Sequence, residues 1–261
     1  MKKINVNNLK CNIGQKKNGV ELGGDYLIEL FNTDKYTINS INFTNNHDYL
    51  NAYNIIEKQD DFIINLGGDH SVGAVTVQSQ LNKYNDDLLV IWIDAHADLN
   101  TYESSISKNT HGMPVAPLLG LMNHWWDATS CQEQLKPENL LYVGIRDLDL
   151  PEIETINNLN ISYFTNWSND INEWISKHPA TKIHISFDID SLDPLYTPST
   201  GTIANDGLHV EDIKKIIDIS INRLVGFDLV EFNPLIGTPN EILETTNNCK
   251  VILNHLINHF H

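Results

Sequence analysis

The chain has 261 residues, enough to bury a full core, and an α/β chain of this size is commonly one domain, here 1–261. Its 34 acidic residues against 17 basic ones give a formal net charge of -17, which argues against nucleic-acid or anionic-membrane partners and favours a cationic ligand. Cys11, Cys131 and Cys249 form no C-x-x-C pair, Met1-Lys2-Lys3 opens no hydrophobic leader and no apolar run reaches membrane length, so a reduced cytoplasmic compartment is expected.

Apolar runs predict strands at about 3–8, 61–66, 88–93, 139–144, 160–164, 182–187 and 224–230. Helical spacing predicts helices near 24–32, 48–58, 72–84, 151–158, 168–177, 209–221 and 240–258. Strand and helix in alternation imply an α/β fold: a mainly parallel sheet covered on both faces, with ligands bound at the carboxyl ends of the strands. The region 120–138, with Trp125-Trp126, carries few period cues and is assigned no element. There is no internal repeat or linker, and the abundance of Asn, Ile and Lys is given no functional weight.

Three segments carry chemistry. The run Leu88 to Ile93 leads into Asp94-Ala95-His96-Ala97-Asp98, and side-chain alternation along a strand would turn positions 94, 96 and 98 to one side. Lys182 to Phe187 leads in the same way into Asp188-Ile189-Asp190. In Leu66-Gly67-Gly68-Asp69-His70-Ser71 the glycine pair permits a tight turn presenting His70 at a strand end. Alone, a Gly-Gly-Asp-His segment is weak and an Asp-x-Asp pair is as often structural. Together the three bring four carboxylates close, and these repel unless cations lie between them. Four Asp and two His without a thiolate suit two Mn2+ ions better than structural zinc.

These pieces, together with Gly14 to Glu21, Trp92 to Thr101, His111-Gly112, Tyr142 to Asp149, Ser186 to Pro194, Thr197 to Thr202 and Gly226 to Pro234, resemble in order and spacing the ureohydrolase family, and within it the arginases. The resemblance implies an arginase-like three-layer α/β/α domain, two Mn2+ ions and hydrolysis of a guanidino or amidino group. It assigns one ion to His70, Asp94, Asp98 and Asp188 and the other to His96, Asp94, Asp188 and Asp190, with Asp94 and Asp188 bridging. It makes His111 a proton shuttle, although the residues alone read it as a surface loop histidine. It places Glu231 against the guanidinium, where a carboxylate can form two parallel charge-assisted hydrogen bonds; the alternative is a buried charge paired with Arg146 or a lysine. Thr202 would assist beside the guanidinium, and Asp193 and Asp228 would be structural.

For substrate choice, the resemblance implies that Asn100, Ser107 and Asn109 read an α-carboxylate and that Asp149 and Glu152 read an α-amino group. Agmatine lacks the carboxylate, so the set points to conversion of L-arginine to L-ornithine and urea. The rivals are agmatinase or another guanidino-compound hydrolase and, from a different class, a low-turnover metal- or arginine-binding homologue. Lys108 stands where arginases usually have glycine, which would stiffen the loop and add a positive charge near the expected carboxylate. The loop 200–208 lacks the usual Pro after its second Thr. The resemblance also implies a homo-oligomer, trimer or hexamer, although the chain stops soon after its last expected helix, without the tail that helps pack trimers of animal arginases.

Overall fold

Eight strands pair into one sheet in the computed structural model, which describes residues 4–31, 35–131 and 133–260. They are β1 (Ile4–Lys10), β2 (Tyr36–Asn42), β3 (Phe62–Gly67), β4 (Leu88–Ile93), β5 (Leu140–Val143), β6 (Ser162–Phe164), β7 (Lys182–Asp188) and β8 (Leu224–Val230). The order across the sheet is β2-β1-β3-β8-β7-β4-β5-β6, and all seven neighbouring pairs are parallel. A parallel sheet is buried on both faces, which is why β4 reads as an unbroken apolar run. All six of its residues are buried.

The helices are α1 (Gly23–Leu27), α2 (His47–Ile56), α3 (Gly73–Tyr84), α4 (Val115–Leu118), α5 (Leu150–Leu159), α6 (Asn169–Lys177), α7 (Val210–Ser220) and α8 (Pro239–Asn258). Along β4 the side chains alternate. Leu89, Ile91 and Ile93 join a core with Leu27, Ile171, Ile213 and Ile252, from α1, α6, α7 and α8. Leu88, Val90 and Trp92 join another with Val77, Leu118 and Ile156, from α3, α4 and α5, and a third cluster packs α2 beside α3. The result is the expected helix, sheet, helix layering. Helix starts follow local signals: Asp149 with Glu152 and Thr238 with Glu241 form capping boxes, each with a proline in the first turn, so the free N–H groups are satisfied.

Several elements differ from the sequence reading. β2 was not expected; it is an edge strand, Tyr-Thr-Ile-Asn-Ser-Ile-Asn, pairing only with β1, and its polar composition hides it from a search for apolar runs. The helix expected at 24–32 is the five-residue α1 followed by a 3-10 turn at Ile28–Leu30, and residue 32 lies outside the described residues. Residue 3 of the first expected strand does so too. In 120–138, Trp125 and Trp126 are buried, with ring centroids 5.6 and 5.7 Å from that of Tyr49 on α2. All three cysteines are unpaired thiols. Among the described residues no helix is long and apolar enough to cross a membrane.

Four adjacent strands, β3, β8, β7 and β4, matter most here. The chain leaves β3, crosses two strand positions to β4 and returns later to fill them with β7 and β8. Such a reversal opens a crevice at the carboxyl ends of the strands.

Candidate metal centre

Each motif segment begins with an aspartate that turns the chain. Asp69 Oδ1 accepts the Ser71 N–H at 3.1 Å, Asp94 Oδ1 the His96 N–H at 2.7 Å, and Asp188 Oδ1 the Asp190 N–H at 2.8 Å. These are Asx turns, and they correct the expectation that strand alternation brings 94, 96 and 98 together. β4 ends at Ile93, and Asp98 has φ 51°, a left-handed conformation that no strand residue adopts. The Gly67-Gly68 pair also acts differently from the expectation, because neither residue has a positive φ. A Cβ on Gly68 would lie 1.8 Å from the Cys11 carbonyl oxygen, so glycine is needed for the close approach of two backbones.

The turns converge six side chains. His70 Nδ1 lies 2.9 Å from Asp94 Oδ2, 3.1 Å from Asp98 Oδ2 and 3.3 Å from Asp188 Oδ2. His96 Nδ1 lies 3.1 Å from Asp190 Oδ2 and 3.3 Å from Asp94 Oδ1. Asp94 therefore presents one oxygen to each imidazole, and two groups able to hold a metal ion, His70-Asp94-Asp98 and Asp94-His96-Asp190, share it. Asp188 aims one oxygen at His70 and uses the other on the Asp190 amide.

The electrostatics show the crowding that the sequence implied. Burial, with the charge of Asp94 next, pushes Asp98 up to about 7 and Asp190 up to about 6. Burial and the charges of Asp190 and Asp94 hold Asp188 well above the usual carboxylate range. Burial opposes the charge of Asp94 as well, yet hydrogen bonds from His70 and His96 outweigh it and keep Asp94 low. His70 Nδ1 and Asp98 Oδ2 are buried without an aligned hydrogen bond although they are in contact. Lone pairs meeting in this way, with excess negative charge, fit divalent cations.

Packing fixes His70 and Asp94 from behind. The Trp92 ring stacks on His70 at 4.1 Å, and its Nε1 donates to Asp94 Oδ2 at 3.1 Å. His70 Nε2 meets Ser186 Oγ at 3.0 Å, and that hydroxyl donates to Asp228 Oδ2 at 3.2 Å. A partner on the far nitrogen sets the ring so that Nδ1 faces the centre. The sequence reading gave Trp92 and Ser186 no role. Their signal was parity, since each stands two residues before a ligand, Asp94 and Asp188.

Next to the centre is a cleft of about 410 Å³ lined by all the expected site residues except Asp94, which is fully buried. Glu231, directly after β8 at φ 66°, pairs with neither Arg146 nor a lysine among the described residues. Its Oε1 accepts the His70 N–H at 2.8 Å and faces His111 Nδ1 at 3.1 Å, and its Oε2 accepts from Gln15 at 2.9 Å. Burial disfavours both charges of that pair, yet their mutual hydrogen bond wins, raising His111 to about 9 and lowering Glu231. Arg146 instead donates to backbone carbonyls of Gly144, Asp190, Ser191, Ala204 and Asn205. Gln15 lies in the Gly14 to Glu21 segment, and nothing local in the sequence links it to Glu231.

On the opposite wall, Asn100 Nδ2 donates to Asp149 Oδ2 at 3.0 Å. Glu152, buried in the first turn of α5, accepts the N–H groups of Leu99 and Asp149, both at 3.0 Å. Ser107 Oγ lies 3.4 Å from Ser105 Oγ and accepts the Asn109 N–H at 3.2 Å, while Thr202 stands exposed at the rim. Lys108 has φ 59°, the conformation that favours glycine there, and its ammonium turns back onto the Tyr102 carbonyl. The charge expected beside the substrate carboxylate is therefore directed elsewhere.

A sequence profile of the arginase family matches residues 6–256. The arginase of Plasmodium berghei (strain Anka) is 43% identical over 194 residues, covering 69% of this chain and 54% of that protein, so the chain spans about half the length of that relative. The arginase of Staphylococcus aureus (strain MSSA476) is 31% identical over 288 aligned positions, covering 93% of this chain and 94% of that protein. The crystal structure of Entamoeba histolytica arginase in complex with L-ornithine superposes with a TM-score of 0.85 at 31% identity, covering 98% of this chain and 97% of that one. With ligand turns, cleft and matched length in agreement, the chain belongs to the arginase family.

Proposed function

We propose that the protein is a manganese-dependent arginase that hydrolyses L-arginine to L-ornithine and urea. The observation that carries this reading is the shared carboxylate: Asp94 gives one oxygen to each of two His/Asp clusters at the floor of a cleft lined by polar groups. Two Mn2+ ions held by His70, Asp94, Asp98 and Asp188 and by His96, Asp94, Asp188 and Asp190 would balance the carboxylates and supply a water acidic near neutral pH.

The residues around the centre supply positioning and proton transfer. Glu231 offers a buried carboxylate at the cleft floor, complementary to a guanidinium and already aligned by His70 N–H and Gln15. Addition of water to the guanidinium carbon breaks its bond to the ornithine nitrogen, and both protons of the water end on that nitrogen. His111, at the mouth of the cleft beside Glu231, is placed to relay them. The far end of the substrate would meet Asp149 and Glu152 with its α-amino group and Asn100, Ser107 and Asn109 with its α-carboxylate; Thr202 would lie beside the guanidinium. The Entamoeba histolytica relative, described in complex with L-ornithine, supports the identity of the product. A single catalytic domain, a cytoplasmic location and a trimer or hexamer belong to the same proposal.

A second reading, agmatinase, has one observation in its favour. The Asn100 amide is engaged by Asp149 and the Lys108 ammonium by Tyr102, which leaves few free donors for an α-carboxylate. The metal assignment is tested independently of the substrate. After incubation with Mn2+ the protein should hold two equivalents, and His96→Ala should lose metal and urea release together. Two full equivalents retained by His96→Ala would sink the ligand set.

A further inference from the structure

At the surface, on helices that contribute no residue to the cleft, α7 and α8 bring together a third group of ligating side chains. His255 and His259 stand one turn apart at the end of α8, so their rings share a side of the helix. Both Nε2 atoms point at one oxygen, Asp218 Oδ1 on α7, at 2.7 and 2.8 Å, and the three donors lie within 4.8 Å of one another. In the catalytic cluster of the same chain, imidazole and carboxylate donors stand 2.9 to 3.3 Å apart. We propose that Asp218, His255 and His259 form a second metal site, for a zinc-like divalent ion that clips the end of α8 to the end of α7.

Three features support it. The backbone under the triad is fixed, because Ile216 and Ile217 on α7 and Leu256 and Ile257 on α8 are buried in the core. The electrostatics favour a cation, since Asp218 lies in the last turn of α7 and the histidines at the end of α8, where unpaired carbonyls make helix ends negative. Lys214, one turn before Asp218, is engaged by Glu211 at 2.8 Å, and Lys215 by Asp212 at 3.0 Å. The donor set of two imidazole nitrogens and one carboxylate oxygen selects Zn2+, with Cu2+ and Ni2+ as competitors, over Mg2+ or Ca2+, which take oxygen ligands. With side-chain exposures of 49% for Asp218, 25% for His255 and 32% for His259, the triad leaves a side open for water to complete a tetrahedral shell.

The test is equilibrium dialysis of Mn2+-loaded protein against micromolar Zn2+, with both metals counted. Zinc entering the catalytic cluster displaces Mn2+, whereas zinc at the α7–α8 triad adds without loss of Mn2+. The wild type should take up about one such Zn2+ per chain and gain thermal stability from it. The variant His255→Ala/His259→Ala should keep its Mn2+ and urea release, take up none and show no stability gain. Asp218→Asn, which preserves shape, should weaken uptake and decides the question if the double variant fails to fold. Equal Zn2+ uptake by wild type and variants, or none by the wild type, would overturn the site. Neither result depends on which guanidino compound the cleft accepts.

Discussion

His111 and Glu231 meet at 3.1 Å beside the proposed metal ligands although 120 residues separate them. Among the described residues His111 hydrogen-bonds to Glu231 and to the Gly14 carbonyl and to none of the proposed ligand side chains, so its removal should spare the metals and damage only proton transfer. His111→Ala is expected to bind Mn2+ as the wild type does and to turn over arginine about 10²–10⁴-fold more slowly. Unchanged turnover across pH would remove the shuttle role. Around this pair the backbone itself is constrained: Asp98, Lys108 and Glu231 all hold positive φ, at a cost on the order of 1–3 kcal/mol for each. The convergence of the His and Asp side chains was legible in the sequence because Asp-x-His-x-Asp and Asp-x-Asp are local, and an Asx turn needs only neighbours two residues apart. Gln15 was not legible in its role, because its partner Glu231 is 216 residues away.

At the scale of elements, a row of side chains crosses the sheet in register. Asn39 on β2 donates to Asn7 on β1 at 3.0 Å, Asn7 to Asn65 on β3 at 2.8 Å, and Asn65 to Asp228 on β8 at 2.7 Å. These residues are paired partners across parallel strands, as are Asp228 and Ser186 on β7. Ser186 then meets His70, so the row ends at one of the proposed metal ligands. Asn7 and Asn65 are buried; Asn65 is satisfied within the row, and Asn7 also exchanges hydrogen bonds with Gln59 beside it, at 3.0 and 2.8 Å. Asn65→Leu would strand one amide hydrogen of Asn7 and one carboxylate oxygen of Asp228. It is expected to lose about 1–3 kcal/mol of stability, measured by equilibrium denaturation of the Mn2+-loaded protein; no loss would show that the row is idle. The strand and helix alternation was legible because buried parallel strands are continuous apolar runs. The polar edge strand β2 and the four-residue α4 were not, because neither carries enough apolar period to stand out.

Across the whole molecule, the acidic balance and the carboxylates that the fold gathers in one cleft are the features that a cationic ligand would meet. Some of the net charge of -17 is concentrated in the four aspartates where β4 and β7 end, with Glu231 at the end of β8 between β7 and β3. Metal and guanidinium would answer those charges at the floor of the cleft, while the outer wall decides which guanidino compound fits. The most direct test is urea release from L-arginine and from agmatine by the wild-type protein after incubation with Mn2+. If the outer wall reads the α-carboxylate, its charged hydrogen bonds should favour arginine by about 10–100-fold in kcat/KM. Agmatine hydrolysed as readily as arginine, or no urea from arginine with both metals bound, would contradict the account.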